Sequence, residues 1–322
     1  MAEWLLDEGI GEHRAALVVD GEIVEAAIDR QDDRPRVGQR IAATLGETVG
    51  AGAWLATARG DVILEAVPAS LSKGRTLMVE IVREAIPEPG RLKPPRARAC
   101  AATGERAAPS LAGQLTGAPI RIVADHGADL FEAAGWSALL EEAETGEIAF
   151  PGGRLRLSPT PAMALFDVDG TLAPALLAVE AARAVALAIR RLAIGGSIGI
   201  DFPTLAKADR AAPAAAIDAL LPQPFERTAV NGFGFLQIVR PRPRASIPEL
   251  VRQDRALGAA LALLRRGARG IGAIRLVAAP TVIARLEREP AWREALARRV
   301  GGAIGLRADP ALAISAGHVE PF

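Results

Sequence analysis

Three aspartates stand where carboxylates could act together on one reacting centre. Asp167 and Asp169 lie at the end of the apolar run MALFDVDG (163–170), and Asp201 lies at the end of IGGSIGIDF, 34 positions after Asp167. The segment between them has the spacing of a helix. Strand–helix–strand connectivity makes the two strands parallel neighbours or nearly so, and groups at the carboxyl ends of such strands converge on one crevice. Carboxylates held together repel, and a hard cation such as Mg²⁺ relieves the repulsion with oxygen ligands. That ion can polarise a phosphoryl oxygen and make bound water a better nucleophile. A simpler role fits the same spacing, because strand-end Asp residues often cap the following helix. Spacing alone leaves both readings open.

The elements that must position these residues are legible as alternating short runs. Two β-type runs in AALVVDGEIVEAAID (15–29) flank Asp20-Gly21, a strong hairpin signal. RIAATL (40–45), AWLATAR (53–59), DVILEAV (61–67) and TLMVEIVREAI (76–86) predict further strands, spaced as in a small barrel or sandwich. IPEPGRLKPPRARA (86–99) is too rich in proline (Pro87, Pro89, Pro94, Pro95) for helix or central strand and reads as a linker or an extended basic strand. From Ala118 the pattern changes. IRIVAD (120–125) predicts a buried strand, 130–146 a helix stopped at Gly146, and 154–159 and 163–169 two strands. A long helix over 174–193 begins at Pro174, a residue suited to the first turn. Strand 197–202, helix 210–221 and strand 233–240 follow, with Gly195 and Gly196 ending one helix and turning into the next strand. Helix 250–268, strand 273–279, helix 281–300 and strand 303–309 complete a small βαβ-type appendage. The fold class is therefore α/β, or α+β over the whole chain. The expected organisation is a hairpin and barrel module over 1–95, a linker over 96–117, an α/β domain over 118–246 and a small C-terminal α/β domain over 247–322.

Composition narrows the function classes. With 322 residues, half of them hydrophobic, the chain can build about two domains with cores of their own. The 38 basic and 38 acidic residues cancel, which argues against a protein that coats nucleic acid non-specifically but leaves room for a local basic surface. Cys100 is the only cysteine, so neither an internal disulfide nor a Cys-based zinc site can form within one chain. His13, His126 and His318 are dispersed without ligand spacing, and structural or surface roles are expected. The opening MAEWLLDEGIGEH has neither the basic segment nor the apolar run of a signal peptide, and no apolar stretch is long enough to span a membrane. A soluble cytoplasmic protein with no membrane partner is expected.

Two family resemblances bear on the aspartates. DVDGT resembles the first motif of haloacid-dehalogenase-like phosphatases, which would make Asp167 a phosphoryl-accepting nucleophile and Asp169 a general acid. That match covers a handful of residues, lacks a paired-acid element after Asp201, and leaves only Lys207 downstream. A longer resemblance is to the ribonuclease E/G endoribonucleases. FPGGRLRLSPTPAMALFDVDG (150–170) resembles that family's Leu-Pro-Ser-Gly-Gly turn, Thr-Glu-Ala-Leu segment and Asp-hydrophobic-Asn motif. VEAARAVALAIRRLAIGGSIGIDF (179–202) is similar to its Leu-Glu-Ala-Ala, basic helix, Leu-Gly-Gly and Val-Ile-Asp-Phe stretch. NGFGFLQIVRPRPRASI (231–247) is similar to its Arg-Phe-Gly-Leu-Leu-Glu-Met-Ser-Arg-Gln-Arg strand. Order and spacing agree across the three blocks. HRAALVVDGEIVEAAIDR (13–30) and the strands after it resemble the opening hairpin and RNA-binding module, and AIRLVAAPTVIARLE (273–287) resembles the tail of shorter members.

The longer resemblance implies an OB-like barrel, a ribonuclease-H-like catalytic domain and hydrolysis of single-stranded RNA by metal-activated water, leaving a 5′-phosphate and a 3′-hydroxyl. It implies that Asp167 and Asp201 bind Mg²⁺, with Asp169 where the family has an orienting Asn. Arg240, Arg242 and Arg244 would line the RNA path, their guanidinium groups pairing with phosphate oxygens; a solvated Arg run is the competing reading. Trp54 would supply a base-stacking face in the barrel, against a buried structural Trp. The chain departs from the family at Asp169, at Gln237 in place of Glu, and at Pro203. No Cys-Pro-x-Cys follows Ser246, so no zinc-linked dimer is expected, and the stretch before Ala118 is too short for the full 5′-end sensor. A non-catalytic RNA-binding relative of the family is the alternative outcome.

Overall fold

The computed structural model describes residues 1–68, 71–88, 90–124 and 127–321; Pro89, Asp125 and His126 lie outside the described residues. The fold is mixed α/β, with a closed five-stranded barrel and further mixed sheets carrying helices. The chain divides into two compact units, each assembled from separate segments: Met1–Asp32, Leu115–Ser137 and Val251–Phe322 in one, Asp33–Gln114 and Ala138–Leu250 in the other. This differs from the sequence-based boundaries. The N-terminal hairpin belongs with the C-terminal α/β segment and not with the barrel.

In the first unit, strands Glu12–Val19 and Glu22–Arg30 pair antiparallel as expected. Asp20 and Gly21 join them at φ 52° and 89°, the left-handed pair that a two-residue hairpin turn requires. Ala2–Glu8 adds a third strand, and Ile120–Ile122 pairs parallel to it. The latter was expected to be buried. It is instead a short exposed edge, with Ile122 68% accessible. The C-terminal segment builds the sheet Ile304–Ala308, Ile274–Ala278, His318–Pro321, in that spatial order. Leu261, Leu264, Leu276, Val282, Leu286 and Leu296 form its core, and Ile10 of the N-terminal segment packs against them. The single helix expected over 281–300 is two, Pro280–Glu287 and Pro290–Val300, each with Pro in its first turn.

The helix expected over 250–268 also breaks, at Asp254, whose carboxylate accepts the Leu257 N–H at 2.8 Å and caps Arg255–Ala268. Replacing Asp254 by Ala is expected to lower stability by about 1 kcal/mol, the usual cost of a lost N-cap. A urea titration followed by far-ultraviolet circular dichroism checks it; an unchanged midpoint would mean that water replaces the cap.

In the second unit the barrel staves run Arg96–Ala99, Gly60–Leu64, Gly52–Thr57, Arg40–Val49, Thr76–Arg83. Alternating residues Ile41, Leu45, Leu55, Val62, Leu64, Val79 and Ile81 fill the interior. The closing stave Arg96–Ala99 lies inside the span 96–117 that the sequence assigned to a linker. Pro94 and Pro95 precede it and lack only a donor. The Pro95 carbonyl still accepts from Ile63 N at 2.9 Å, and pairing continues through Arg96 and Ala97.

The same unit holds a six-stranded mixed sheet in the order Glu147–Phe150, Gly153–Pro159, Ala164–Gly170, Gly196–Asp201, Phe235–Arg240, Glu226–Arg227. The first strand was not expected; it forms a hairpin with the second after a helix broken at Gly135 (φ 93°) into Leu130–Ala133 and Trp136–Thr145. Period-two alternation divides the sheet's residues. Leu155, Leu157, Phe166, Val168, Ile198, Ile200, Leu236 and Ile238 are buried on one face. Helix Pro174–Arg191 contributes the small buried surface Ala178, Ala181, Ala182, Val185 and Ile189, and contacts the first three strands and helix Ala211–Leu220. No helix among the described residues is long and apolar enough to cross a membrane.

Candidate functional site

The residues left on the other face of this sheet carry its charge. Ala164–Gly170 and Gly196–Asp201 are adjacent and parallel, and Asp167 and Asp201 are register partners. Register partners in neighbouring strands have Cα atoms roughly 4.7–4.9 Å apart and project side chains to the same face. The strand–helix–strand inference from sequence thus holds, with one change: Asp167 lies mid-strand, three residues before the strand ends at Gly170. Asp167 is half-buried and Asp201 exposed, and neither carboxylate makes a hydrogen bond or ion pair with a described residue. Helix capping does not explain them. Helix Pro174–Arg191 has Ala173 at its N-cap and helix Ala211–Leu220 has Arg210, and neither is capped by a side chain.

Register continues the row across four strands. Asp167 is opposite Arg156, and Arg156 is opposite Glu147, so acid, base, acid and acid follow one another as Glu147, Arg156, Asp167 and Asp201. Arg156 bonds the Glu147 carboxylate at 2.9 Å. That bond and the Glu147 charge hold its guanidinium above the ordinary arginine value, with Asp169 and Asp167 adding smaller contributions in the same direction. Asp169 is two residues further along the same face, about 7 Å away. It is drawn to Arg154, its own register partner, at 3.5 Å, in an exposed ion pair. The structure therefore brings Asp167 and Asp201 together and leaves Asp169 in separate company.

Glu147, Arg154 and Arg156 are members of this face that sequence reading missed. The signal of the two arginines was present in R-L-R-L at 154–157, where period two sends both Leu residues to the core and both Arg residues to the acidic face.

The three arginines assigned to an RNA path are elsewhere. Phe235 pairs with Asp201 while Arg240 pairs with Gly196, so Arg240 is five residues, roughly 17 Å, down the sheet from the acidic pair. Its Nη1 donates to the Ile194 carbonyl at 3.5 Å. Arg242 is ion-paired to Glu249 and, with Pro161, Met163 and Ser197, lines a small cleft at that far end. Arg244 pairs with Glu84 at 3.2 Å, both side chains 23% accessible. These contacts fasten the segment after strand Phe235–Arg240, away from the two aspartates. Trp54 stands on the outer face of the barrel between inward-facing Ala53 and Leu55, and is 37% accessible. A ring in that position is open to stacking.

Among the described residues no group of three or more His, Cys, Asp or Glu side chains is placed to hold a metal ion. A cation here would rest on the two carboxylates alone. That donor set fits Mg²⁺, which is commonly held by one or two carboxylates with water and substrate phosphate oxygens supplying the rest. It does not fit a transition metal that needs nitrogen or sulfur ligands. Compared with known proteins, the chain matches no protein-family model and no curated protein sequence.

Proposed function

We propose that this protein is a Mg²⁺-dependent endoribonuclease acting on single-stranded RNA, and that it is a shortened relative of the ribonuclease E/G family. The observation that carries the reading is the in-register pairing of Asp167 and Asp201, two carboxylates with no hydrogen bond or ion pair to any described residue, on parallel neighbouring strands. Like charges directly opposite one another in a sheet are destabilising. A protein that keeps such a pair open, with no cap or ion pair to justify it, has the arrangement of a cation site. On this reading the six-stranded sheet is the ribonuclease-H-like core, and the barrel is an OB-like RNA-binding module with Trp54 as an outward stacking surface.

Asp167 and Asp201 would hold the ion, which when bound would polarise a phosphoryl oxygen and favour ionisation of attacking water. Arg156 and Arg154, on the strand beside Asp167, would orient the flanking phosphates through planar guanidinium–phosphate pairs. The Arg154–Asp169 contact is exposed and so is readily exchanged for a phosphate. A second reading is supported by that contact and by the lack of a third acidic ligand: a relative that binds RNA without cutting it.

Incubating the purified chain with unstructured RNA in Mg²⁺ or in EDTA separates the readings. The expected result is internal cleavage in Mg²⁺ only, leaving 5′-phosphate and 3′-hydroxyl ends. Retention of RNA without cleavage favours the binding relative. Turnover of p-nitrophenyl phosphate without any action on RNA would sink both in favour of the phosphatase with Asp167 as nucleophile.

A further inference from the structure

Beside the acidic pair, the loop before strand Phe235–Arg240 holds a large apolar ring out in solvent. Phe233 is 87% accessible, more than any other large hydrophobic among the described residues except Met1. Leaving a Phe side chain in water forgoes most of the favourable free energy of burying it. The chain has no Tyr and only 4% aromatic residues, so an exposed ring is not a product of abundance.

The loop is built rather than loose. The Asn231 side-chain oxygen accepts from Phe233 N at 2.8 Å and from Phe235 N at 3.0 Å, and Asn231 N donates to the Phe235 carbonyl at 2.9 Å. Gly234 has φ +92°, and a Cβ there would meet the Phe202 carbonyl oxygen at 2.4 Å. The Gly234 carbonyl in turn accepts from Phe202 N at 3.1 Å, tying the loop to the residue that follows Asp201. Phe233 is two residues from Phe235, the register partner of Asp201. At about 3.8 Å per residue its Cα is at most roughly 13 Å from that of Asp201. One cation attends the loop. Arg210 donates through Nε and Nη2 to the Leu205 carbonyl, both at 3.2 Å, and its Nη1 lies 4.0 Å from where a side chain at Gly232 would begin.

We propose that Phe233 is a stacking platform for one nucleobase of the RNA strand, next to the phosphate addressed by Asp167 and Asp201, with Arg210 against the adjoining backbone. Aromatic faces take bases of any identity, and a guanidinium beside the ring gives the phosphate a partner. A ring carried on a hydrogen-bonded loop beside the reacting centre would set which linkage is presented. The proposal rests on the RNA reading of the site but not on its chemistry, so its test excludes cleavage.

Binding of a short labelled unstructured RNA is measured by anisotropy in EDTA for the full chain and for Phe233→Ala and Phe233→Trp. The same RNA is also made with one abasic nucleotide at each position in turn. Phe233→Ala should weaken binding on the order of tenfold or more, while Phe233→Trp binds like the parent. In the parent, one abasic position should weaken binding by a similar factor, and in Phe233→Ala that same substitution should have no further effect. A general loss of folding would not produce this position-specific coupling. Equal binding by parent and Phe233→Ala overturns the proposal, even if the Mg²⁺ cleavage assay succeeds. Failure of the parent to bind RNA at all overturns it too. Normal stacking behaviour with no cleavage supports it while the nuclease reading fails.

Discussion

Asp167→Asn and Asp201→Asn are each expected to reduce Mg²⁺-dependent RNA cleavage by about three orders of magnitude or more, the equivalent of several kcal/mol of lost metal-assisted stabilisation. Neither should harm the fold. Among the described residues the two side chains have no hydrogen-bond or ion-pair partner, and Asn has nearly the same shape. Without metal, removing one of two directly adjacent negative charges should raise stability slightly, by about 0.2–1 kcal/mol. Mg²⁺ should therefore raise the melting temperature of the parent, since it binds the folded state, and have little effect on either variant. The double variant should be no worse than the singles, because residues acting as one unit are strongly non-additive. Asp169→Asn is the contrasting control. Its carboxylate is engaged by Arg154 and stands apart from the pair, so its loss should change cleavage by only a few-fold. Full activity in Asp167→Asn, or a Mg²⁺ shift in both variants as large as the parent's, would remove the proposed metal site.

That pair was legible in the sequence because its determinants are local. Two apolar runs ending near Asp, joined by a helix starting at Pro174, admit few arrangements, and parallel neighbours are the commonest. The Asp20-Gly21 turn was equally explicit, since few residue pairs tolerate two left-handed conformations. What escaped was set by pairing across long stretches of chain. Arg96–Ala99 read as linker or extended basic strand because proline density is read locally, whereas the choice of strand is made by barrel closure, which depends on an acceptor at Pro95 and on Ile63 far back in sequence. Ile120–Ile122 has a buried strand's composition, but its burial depends on what covers it, and the described residues leave Ile122 68% accessible. The surroundings of the Arg240–Arg244 run were hidden for a related reason. Its charge was visible, but the strand direction that carries it away from Asp201, and the carboxylates of Glu249 and Glu84 that engage Arg242 and Arg244, were not. Phe233 was read as the start of strand 233–240, which begins only at Phe235, and its exposure goes with the Asn231 cap and the Gly234 turn rather than with hydropathy.

The largest stability effect is expected far from these residues in sequence, at Asp7. Within the first unit, Arg14 is 6% accessible, and its Nε bonds the Asp7 carboxylate at 2.8 Å. Its guanidinium lies 4.0 Å from the Phe131 ring centroid and 5.0 Å from that of Trp136. Burial and the neighbouring Arg265 push Arg14 below the ordinary arginine value, and Asp7 counters them. Arg265 is itself nearly buried and paired to Glu12. Arginine cannot shed its proton at accessible pH, so Asp7→Ala leaves a charge in a poorly solvated place beside a second one. A loss of about 3–5 kcal/mol is expected, as for other buried pairs broken on one side. Restoring neutrality should recover most of it: Asp7→Leu combined with Arg14→Met removes both charges and keeps the apolar contact with Phe131. The two-unit architecture calls for a probe confined to one unit. Trp4, Trp136 and Trp292 belong to the first unit and Trp54 alone to the second, so Trp54→Phe makes tryptophan fluorescence a reporter of the unit that contains Arg14. In that background, a urea midpoint unchanged by Asp7→Ala would show that water already solvates the guanidinium. A midpoint that falls with Asp7→Ala and returns with the paired substitution would identify the unpaired Arg14 charge, held against Phe131 and Trp136 between strands Ala2–Glu8 and Glu12–Val19, as the source of the loss.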